Sequence, residues 1–476
     1  MTSPSDLALE VPLDLTLAPV LSADSAPDPA IEQSSRKRWI GHYDPEDPAF
    51  WAAAGERIAR RNLWFSIFSE HIGFSIWSMW SAFVLFLGPK FGFDAGQKFL
   101  LTTVPTAVGA AMRIPYTFAV AKVGGRNWTA VSAALLLIPL GATAVVLKPG
   151  VSFSTLLAVA ALAGIGGGNF SSSMANIDSF YPQRLKGWAL GLNAGGGNLG
   201  VAVVQLVGLA VLATAGKDHP RVILAVYLPL IVIAGLAATW KMDNLTRATN
   251  EKRAMREVLR EPHAWVMSLL YIGTFGSFIG FSFAFGQVLQ VQFKTQFDTP
   301  LKAAYLTFLG PLLGSLMRPL GGRLADRLGG ARVTLGIFVS LAAGASVVLF
   351  ASTHRSLPLF LIGFVLLFVL TGLGNGSAYK MIPAVFRAKA QRAIAAGADL
   401  VASDRTARRK SRALIGIAGS IGAFGGVGVN LLLRHAFMTS KTGNSAYVAF
   451  IGFYLVCMVV TWTVYVRPSA RTLRDV

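Results

Sequence analysis

Long apolar stretches recur along this whole 476-residue chain, separated by short polar segments. About 20 apolar residues in a helix cross the ~30 Å hydrocarbon layer of a bilayer, and a helix satisfies its own backbone hydrogen bonds there. With 53% hydrophobic and 14% charged residues, the composition is far too apolar for a soluble enzyme of this length. We therefore predict an all-α polytopic membrane protein. Its twelve spans are expected near residues 63–88, 99–121, 128–147, 153–177, 187–214, 221–240, 264–292, 301–322, 332–352, 356–385, 413–433 and 446–466.

The net charge of +20 is informative through its distribution. If the N-terminus is cytoplasmic, most Lys and Arg residues fall in cytoplasmic segments, as the positive-inside rule requires. This bias explains the charge, so no nucleic-acid partner is predicted. An even number of spans places both termini in the cytoplasm, and we expect a monomer in the lipid bilayer of the cytoplasmic (inner) membrane. Residues 1–35 are typical of a disordered tail and lack the apolar core of a signal peptide.

The two halves of the chain carry the same short pattern. Gly109-Ala110-Ala111-Met112-Arg113 matches Gly314-Ser315-Leu316-Met317-Arg318, and each copy is followed by a Gly-Gly pair, at Gly124-Gly125 and Gly329-Gly330. The constant spacing indicates duplication. It predicts two six-helix bundles, 61–240 and 263–467, with a cytoplasmic tail at 1–60, an amphipathic linker at 241–262, a basic polar loop at 387–412 and a second tail at 468–476.

Two related six-helix halves joined by a cytoplasmic linker describe the major facilitator architecture. The turn from Gly322 to Arg332 resembles the loop motif of that superfamily, whereas the first-half copy at 118–127 has Ala121 where the motif has an acid. We interpret both turns as structural latches between helix ends.

Arg113 and Arg318 lie inside predicted spans, where an arginine costs ~2.5–3.5 kcal/mol and is expected to face a cavity or a counter-charge. Only one acid, Glu70, lies clearly within a span, so it cannot neutralise both. Related halves would place the two guanidiniums opposite each other, where they could clamp a small oxyanion by bidentate contacts. The alternative is that either side chain snorkels to the interface or caps a neighbouring helix.

Other residues could complete such a site. Tyr271 and Phe275 are one turn apart on the seventh helix, and Phe170 interrupts a run of small residues in the fourth. Their rings could sandwich a flat ion, although membrane aromatics also serve packing. Asn198 has an amide able to donate to an anion, whereas the glycines around it favour close helix contact.

Several segments together resemble one family of this superfamily, the nitrate/nitrite porters. They are the passage 163–200, the seventh-helix run 271–282, Gly374-Asn375-Gly376-Ser377, and the N-terminal Pro45-Glu46-Asp47-Pro48-Ala49-Phe50-Trp51 with Arg61-Asn62-Leu63-Trp64. The resemblance covers about residues 40–466. It implies that nitrate and nitrite are the substrates and that Arg113 and Arg318 bind the anion. It further implies support from Phe170, Asn198, Tyr271 and Phe275, and a lining role for Asn375 and Ser377.

Glu70, His71 and Lys380 bear on coupling. A histidine or a membrane carboxylate can carry a proton, and a proton entering with the anion offsets the inside-negative potential. This favours proton-coupled nitrate import, and nitrate/nitrite exchange is the alternative. For Glu70 and His71, the alternative to proton coupling is that each makes a separate structural hydrogen bond. Lys380 could add charge to the path, pair with Glu70 or snorkel.

Two further functions are compatible with parts of the sequence, and a third is disfavoured. An organic-anion or phosphate-ester porter could use a similar arginine pair, and a nitrate-binding membrane sensor could signal through the 387–412 loop. A membrane enzyme is disfavoured because the sequence has no nucleophile-base pair, metal cluster or phosphate loop of usable spacing. The single cysteine, Cys457, excludes an intramolecular disulfide and a cysteine-cluster metal site. No metal or cofactor is predicted.

Overall fold

The computed structural model describes residues 38–246 and 252–467. Twelve long helices, counted within those two ranges, form the body of the molecule. They are α1 (Glu56–Phe86), α2 (Ala95–Val123), α3 (Gly125–Val146), α4 (Phe153–Phe180), α5 (Gln183–Thr214), α6 (Arg221–Lys241), α7 (Pro262–Gln292), α8 (Pro300–Thr307 and Leu309–Leu328), α9 (Gly330–Thr353), α10 (Leu357–Ala395), α11 (Leu400–Ser440) and α12 (Asn444–Val466).

In the part of the chain that the structure describes, nine of these helices are long and apolar enough to cross a membrane. The remaining three, α1, α2 and α8, carry Glu70, Arg113 and Arg318 respectively. The expected twelve-helix, multi-pass architecture is thus confirmed.

The duplicated pattern has the same structural use in both halves. A side-chain carbon added at Gly109 would lie 2.2 Å from Nε1 of Trp77 on α1, and one added at Gly314 would lie 2.6 Å from the ring of Phe278 on α7. In each half, this glycine lets an aromatic residue of the first helix pack against the helix that carries the arginine. Gly124 and Gly329 have φ values of +91° and +87°, a conformation that favours glycine and turns the chain into the next helix.

The halves meet along α2 with α11 and along α5 with α7 and α8. The Ser420 hydroxyl donates to the carbonyl of Ala110 (2.7 Å), and the Gln205 amide donates to the carbonyl of Ser282 (2.8 Å). Thr102 on α2 donates to the side-chain oxygen of Asn430 on α11 (3.2 Å). The middle of the molecule, where the helices carrying the two arginines face the opposite half, is therefore enclosed.

The predicted polar loop at 387–412 is wrong, because all of these residues except 396–399 are helical. The helix α10 continues to Ala395 and α11 begins at Leu400, so only residues 396–399 connect them. Alanine-rich polar sequence continues a helix readily once it leaves the membrane, and the Asp399 side chain accepts from the Ala402 N–H (2.6 Å) at the start of α11. Polarity marked the end of the apolar span but not the end of the helix.

The linker contributes a helix and a strand. The linker helix, Lys252–Leu259, buries Ala254 and Val258. The strands β1 (Trp39–Ile40) and β2 (Asn244–Leu245) pair in parallel. Residues 247–251 of the predicted linker lie outside the described residues.

The described portion of the predicted tail at 1–60 is folded against the first bundle. Tyr43 hydrogen-bonds the carbonyls of Gly55 and Phe180 (3.0 Å each), and Trp51 is buried. Residues 38–55 thus pack on the first bundle, because aromatic residues in this stretch find apolar surface to cover. The predicted disordered segment 1–35 and the tail 468–476 lie outside the described residues.

Candidate functional site

Arg113 is fully buried in the middle of the molecule, at 0% exposure. Its Nη1 donates to the carbonyl of Gly419 on α11 (2.7 Å) and its Nε to the carbonyl of Gly167 on α4 (3.3 Å), so the guanidinium contacts both halves. Its Nη2 has no hydrogen-bond partner. A buried, unpaired donor on a charged group is costly, and this one is available to an anion.

Arg318 is 3% exposed and is held more loosely. Its Nη2 donates to the hydroxyl of Tyr271 (3.1 Å), while its Nη1 has no partner. Among the described residues, neither arginine forms a salt bridge. Because both side chains are buried, neither snorkels to a surface of the molecule. Arg113 does bond carbonyls of neighbouring helices, which was the other alternative.

Aromatic rings surround the two guanidiniums. Cζ of Arg113 lies 4.5 Å from the ring centre of Phe170 and 4.8 Å from that of Phe275, and Cζ of Arg318 lies 5.9 Å from Phe170. The ring centres of Phe170 and Phe275 are 6.2 Å apart with their planes inclined by 28°, and Tyr271 stacks on Phe275 at 5.2 Å. Ring faces attract cations without neutralising them, so the positive charge stays available to a ligand.

Glu70 is buried on α1 beside α5. One carboxylate oxygen accepts from the Asn193 amide (2.7 Å), while Oε1 has no partner. A side chain at Gly197 would collide with that oxygen, at 2.2 Å. Glu70 also interacts electrostatically with Arg318 and Arg113. It is thus a nearby counter-charge that bonds to neither guanidinium.

His71 and Lys380 lie apart from the arginines. His71 Nδ1 is 3.1 Å from the carbonyl oxygen of Gly196, the geometry of a structural N–H donor. Lys380 donates to both carboxylate oxygens of Asp326 on α8 (2.7 and 2.9 Å). The suggested pairing of Lys380 with Glu70 is therefore wrong, because the ammonium group of Lys380 pairs with Asp326, the acid of the second-half loop motif.

Ser377 also faces away from the arginines. Its hydroxyl is 2.9 Å from the hydroxyl of Thr334 on α9. Residues two apart on a helix point in nearly opposite directions, so Asn375 and Ser377 cannot both line one path. The structure brings Ser377 to a helix contact.

Asn198 and Asn375 are both 1% exposed, and neither amide has a hydrogen-bond partner. Asn198 is one turn from Gly195 on α5. A side-chain carbon added at Gly195 would lie 4.0 Å from the carbonyl oxygen of Ser315 on α8. Asn198 thus lies on the face of α5 that meets the second half. Buried amides without partners are expected where a polar ligand or water binds.

Sequence reasoning missed several neighbours of the two arginines. Phe74 and Trp77 on α1 lie 5.9 and 5.4 Å from Cζ of Arg113, and Tyr379 on α10 lies 5.4 Å from Cζ of Arg318. Asn193 fixes Glu70. One signal was present for Asn193, which belongs to the same glycine-rich run as Asn198. The aromatic residues carry no local signal, because their role depends on which helix they face.

A cavity of about 70 Å³ leads from Phe170 between the halves toward the linker side. Asp178 on α4 and Arg412 on α11 line its outer end, and their side chains form an ion pair (2.5 Å) between the halves. Asp178 also pairs with Lys186 (3.2 Å). The central site is thus enclosed, with a short polar-ended cavity on one side.

The arrangement can bind a small anion and exclude water, but it is not equipped for bond chemistry. Two positive charges with free donors meet in a desolvated centre, where electrostatic attraction is strong. Within the described ranges, no group of three or more His, Cys, Asp or Glu residues could hold a metal ion.

Comparisons with known proteins agree with this architecture. The chain matches the family model of the Major Facilitator Superfamily over residues 63–398. Solved structures of a mutant of the nucleoside transporter NupG (TM-score 0.59, 84% of this chain and 99% of that one) and of the human organic anion transporter MFSD10 (TM-score 0.56, 86% and 99%) superimpose on it at 13% identity each. At such identity the likeness shows the fold alone, whereas the family model places the chain in the class of major facilitators.

More similar relatives narrow that class. They are the nitrate/nitrite transporter NarU of Salmonella typhimurium (37% identity, 91% of this chain and 97% of that one), NarU of Escherichia coli (35%, 92% and 98%) and the probable nitrate/nitrite antiporter NarK2 of Thermus thermophilus (32%, 92% and 99%). The chain belongs to the nitrate/nitrite porter family of the major facilitator superfamily. Since these relatives are named as transporters, the expectation of a transporter rather than an enzyme is confirmed.

Proposed function

We propose that this protein carries nitrate and nitrite across the membrane by alternating access, with the anion bound between Arg113 and Arg318. The names of the relatives supply the substrates. One observation carries the site: two buried guanidiniums, one from each half, each keep a nitrogen without a partner.

The bound anion would link the halves electrostatically. Without an anion, like charges on α2 and α8 oppose a closer approach of the bundles. An anion between them reverses that repulsion and allows the halves to close, after which either side can reopen. Phe170 and Phe275 would flank the planar ion, and the Asn198 and Asn375 amides would line the site beside it.

We assign proton coupling to Glu70 rather than His71. Glu70 is buried, interacts with both arginines and has one free oxygen, so its protonation changes the charge of the site directly. His71 is tied to a backbone carbonyl of α5. Proton-coupled nitrate import is the resulting hypothesis, with both termini cytoplasmic in the cytoplasmic membrane and the protein a monomer.

Nitrate/nitrite exchange is the second candidate. It is favoured by the name of the Thermus thermophilus relative, a probable antiporter, and by the hydrogen bond from Asn193, which gives Glu70 a structural role. In exchange, the anion that leaves balances the charge of the one that enters, and no proton is needed.

Uptake of labelled nitrate into proteoliposomes tests both. An inward proton gradient is compared with nitrite loaded inside, for the wild type and for Glu70→Gln, which retains the size of the side chain. Symport predicts uptake driven by the gradient alone and its loss in Glu70→Gln. Exchange predicts uptake that requires internal nitrite and survives in Glu70→Gln. If neither condition moves nitrate, the proposed function is wrong.

A further inference from the structure

Two hydrogen-bond donors without partners lie together on the second-half side of the site. One is Nη1 of Arg318, and the other is the buried hydroxyl of Tyr379. The guanidinium lies over the Tyr379 ring at 5.4 Å, and that ring is 6.0 Å from the ring of Tyr271. The ring of Tyr379 therefore faces the guanidinium of Arg318, but no hydrogen bond joins the Tyr379 hydroxyl to that guanidinium.

The helical positions explain why Tyr379 faces the site. It follows Asn375 by four residues, so the two share one face of α10. The intervening Ser377 points to Thr334 on α9, and the next residue, Lys380, reaches Asp326. Ser377 and Lys380 thus have partners elsewhere, whereas the side chains of Asn375 and Tyr379 have no hydrogen-bond partner.

Available donors can be matched to the oxygens of the two substrates. Nitrate has three oxygens and nitrite two. Each arginine retains one nitrogen without a partner, Nη2 on Arg113 and Nη1 on Arg318, which suffices for the two oxygens that the anions share. A third oxygen needs a further donor, preferably one that adds no charge.

We propose that Tyr379 is a specificity-determining residue whose hydroxyl donates a hydrogen bond to the third oxygen of nitrate. This assignment rests on the proposed function. A phenol suits the task better than the nearby amides because its hydroxyl rotates and donates its one hydrogen. The Asn375 amide, in contrast, carries an acceptor oxygen that an anion cannot satisfy. The ring of Tyr379 meanwhile stacks on Arg318 and orients it.

The test is Tyr379→Phe, which removes one oxygen and keeps the ring on Arg318. A neutral hydrogen bond corresponds to a change of about 3- to 10-fold in binding. In proteoliposomes, we expect the KM for nitrate to rise by about that factor. The KM for nitrite, measured by competition with labelled nitrate, should stay the same, so discrimination between the two anions falls.

Tyr447→Phe is the matched control. Its hydroxyl is also buried without a partner, but it lies on α12 among Phe360, Phe364 and Phe450. Neither KM should change there. Thermal stabilisation of purified protein by nitrate and by nitrite gives a second reading, independent of transport rate, in which Tyr379→Phe should lose part of the nitrate shift only.

Several results overturn the assignment. An equal rise in both KM values would make Tyr379 a support for Arg318, and no change in either would leave its hydroxyl without a role. A wild type that transports neither anion would overturn the proposed function, and the assignment with it.

Discussion

Arg113 and Arg318 occupy equivalent positions in the duplicated halves, yet their surroundings differ. Arg113 donates to backbone carbonyls on α4 and α11, and four rings surround it. Arg318 has a hydroxyl partner on Tyr271 and lies over two rings. Duplication placed two cations across a common centre. Backbone carbonyls of other helices hold Arg113, whereas a side-chain hydroxyl holds Arg318.

The comparison indicates a division of labour within the site. Arg113 is held by backbone, which does not change rotamer, and one of its hydrogen bonds crosses between the halves. Arg318 is held by a side chain of its own half. We expect Arg113 to serve both binding and the joining of the halves, and Arg318 chiefly to serve binding.

The largest effect should come from the scaffold, where the halves are alike. A side-chain carbon at Gly167 would lie 2.7 Å from the Cα of Gly109, and one at Gly372 would lie 2.2 Å from the carbonyl oxygen of Gly314. Backbone cannot yield locally, so Gly167→Ala and Gly372→Ala should each prevent recovery of folded protein. Size-exclusion chromatography in detergent measures this.

The control is Gly191→Ala, because nothing lies within 4 Å of the added carbon. That variant should fold normally. If only one half tolerates its alanine, the packing of the halves is less symmetrical than the structure indicates.

The next largest effect separates the arginines. Lysine cannot bond two carbonyls and still present a planar face to an anion, and hydrogen bonds of charged groups contribute ~1.5–3 kcal/mol each. Arg113→Lys should therefore reduce nitrate transport by about 100-fold or more, and Arg318→Lys by about 10-fold, mainly through KM. Initial rates in proteoliposomes measure both.

Arg221→Lys, at an exposed position at the start of α6, is the control and should leave transport unchanged. A greater loss in Arg318→Lys than in Arg113→Lys would reverse the proposed division of labour.

A smaller effect is expected at Tyr271. Tyr271→Phe removes the hydroxyl that accepts from Arg318 (3.1 Å) but retains the ring stacked on Phe275. The KM for nitrate should rise by up to about 10-fold with little change in maximal rate. Tyr454→Phe is matched to it, since that hydroxyl bonds Ser277 (2.9 Å) on the helix that carries Tyr271. Equal effects in the two variants would mean that the loss of any tyrosine hydrogen bond loosens the bundle.

The smallest effect should arise on the linker side, where the halves differ again. In the first half, buried Asp243 bonds Arg61 (2.6 Å) and Asn62 (2.8 Å). In the second half, Glu261 holds Lys389 and Lys410. Partial burial by itself raises the pKa of Glu261, but hydrogen bonds from the two lysines bring that pKa below its usual range.

A lowered pKa means that ionised Glu261 stabilises the α10–α11 hairpin above the ordinary glutamate pKa of ~4.3, and that this contribution disappears as the pH falls through the lowered value. Glu261→Gln should cost at most ~1 kcal/mol because the lysines are partly exposed. Hydrogen exchange at 387–412 should rise slightly at pH 7 and lose its dependence on acid pH. The exposed Glu56→Gln serves as control, and an equal response there would exclude a specific role for Glu261.

Sequence reasoning placed the twelve helices and the arginine pair because each has a local signal. Apolar length identifies a span, and an arginine inside a span stands out by its cost. Ser377 was expected to line the path with Asn375, although side chains two positions apart on a helix point in nearly opposite directions. The helical extension of 387–412 was missed because polarity indicates where the membrane ends, whereas helix formation depends on alanine content and on the Asp399 cap.

The sequence by itself determined the class of fold, the duplication and the two arginines inside spans, because these depend on hydrophobicity, repeated spacing and residue type. It indicated the family only through the resemblance of its segments to known nitrate/nitrite porters. Only the tertiary structure decided which donors stay free, that Lys380 bonds Asp326, and that Tyr379 lies against Arg318. Each of these contacts joins different helices, and the rotation and depth of a helix are set by packing against its neighbours, including glycine contacts such as that of Gly372 with Gly314.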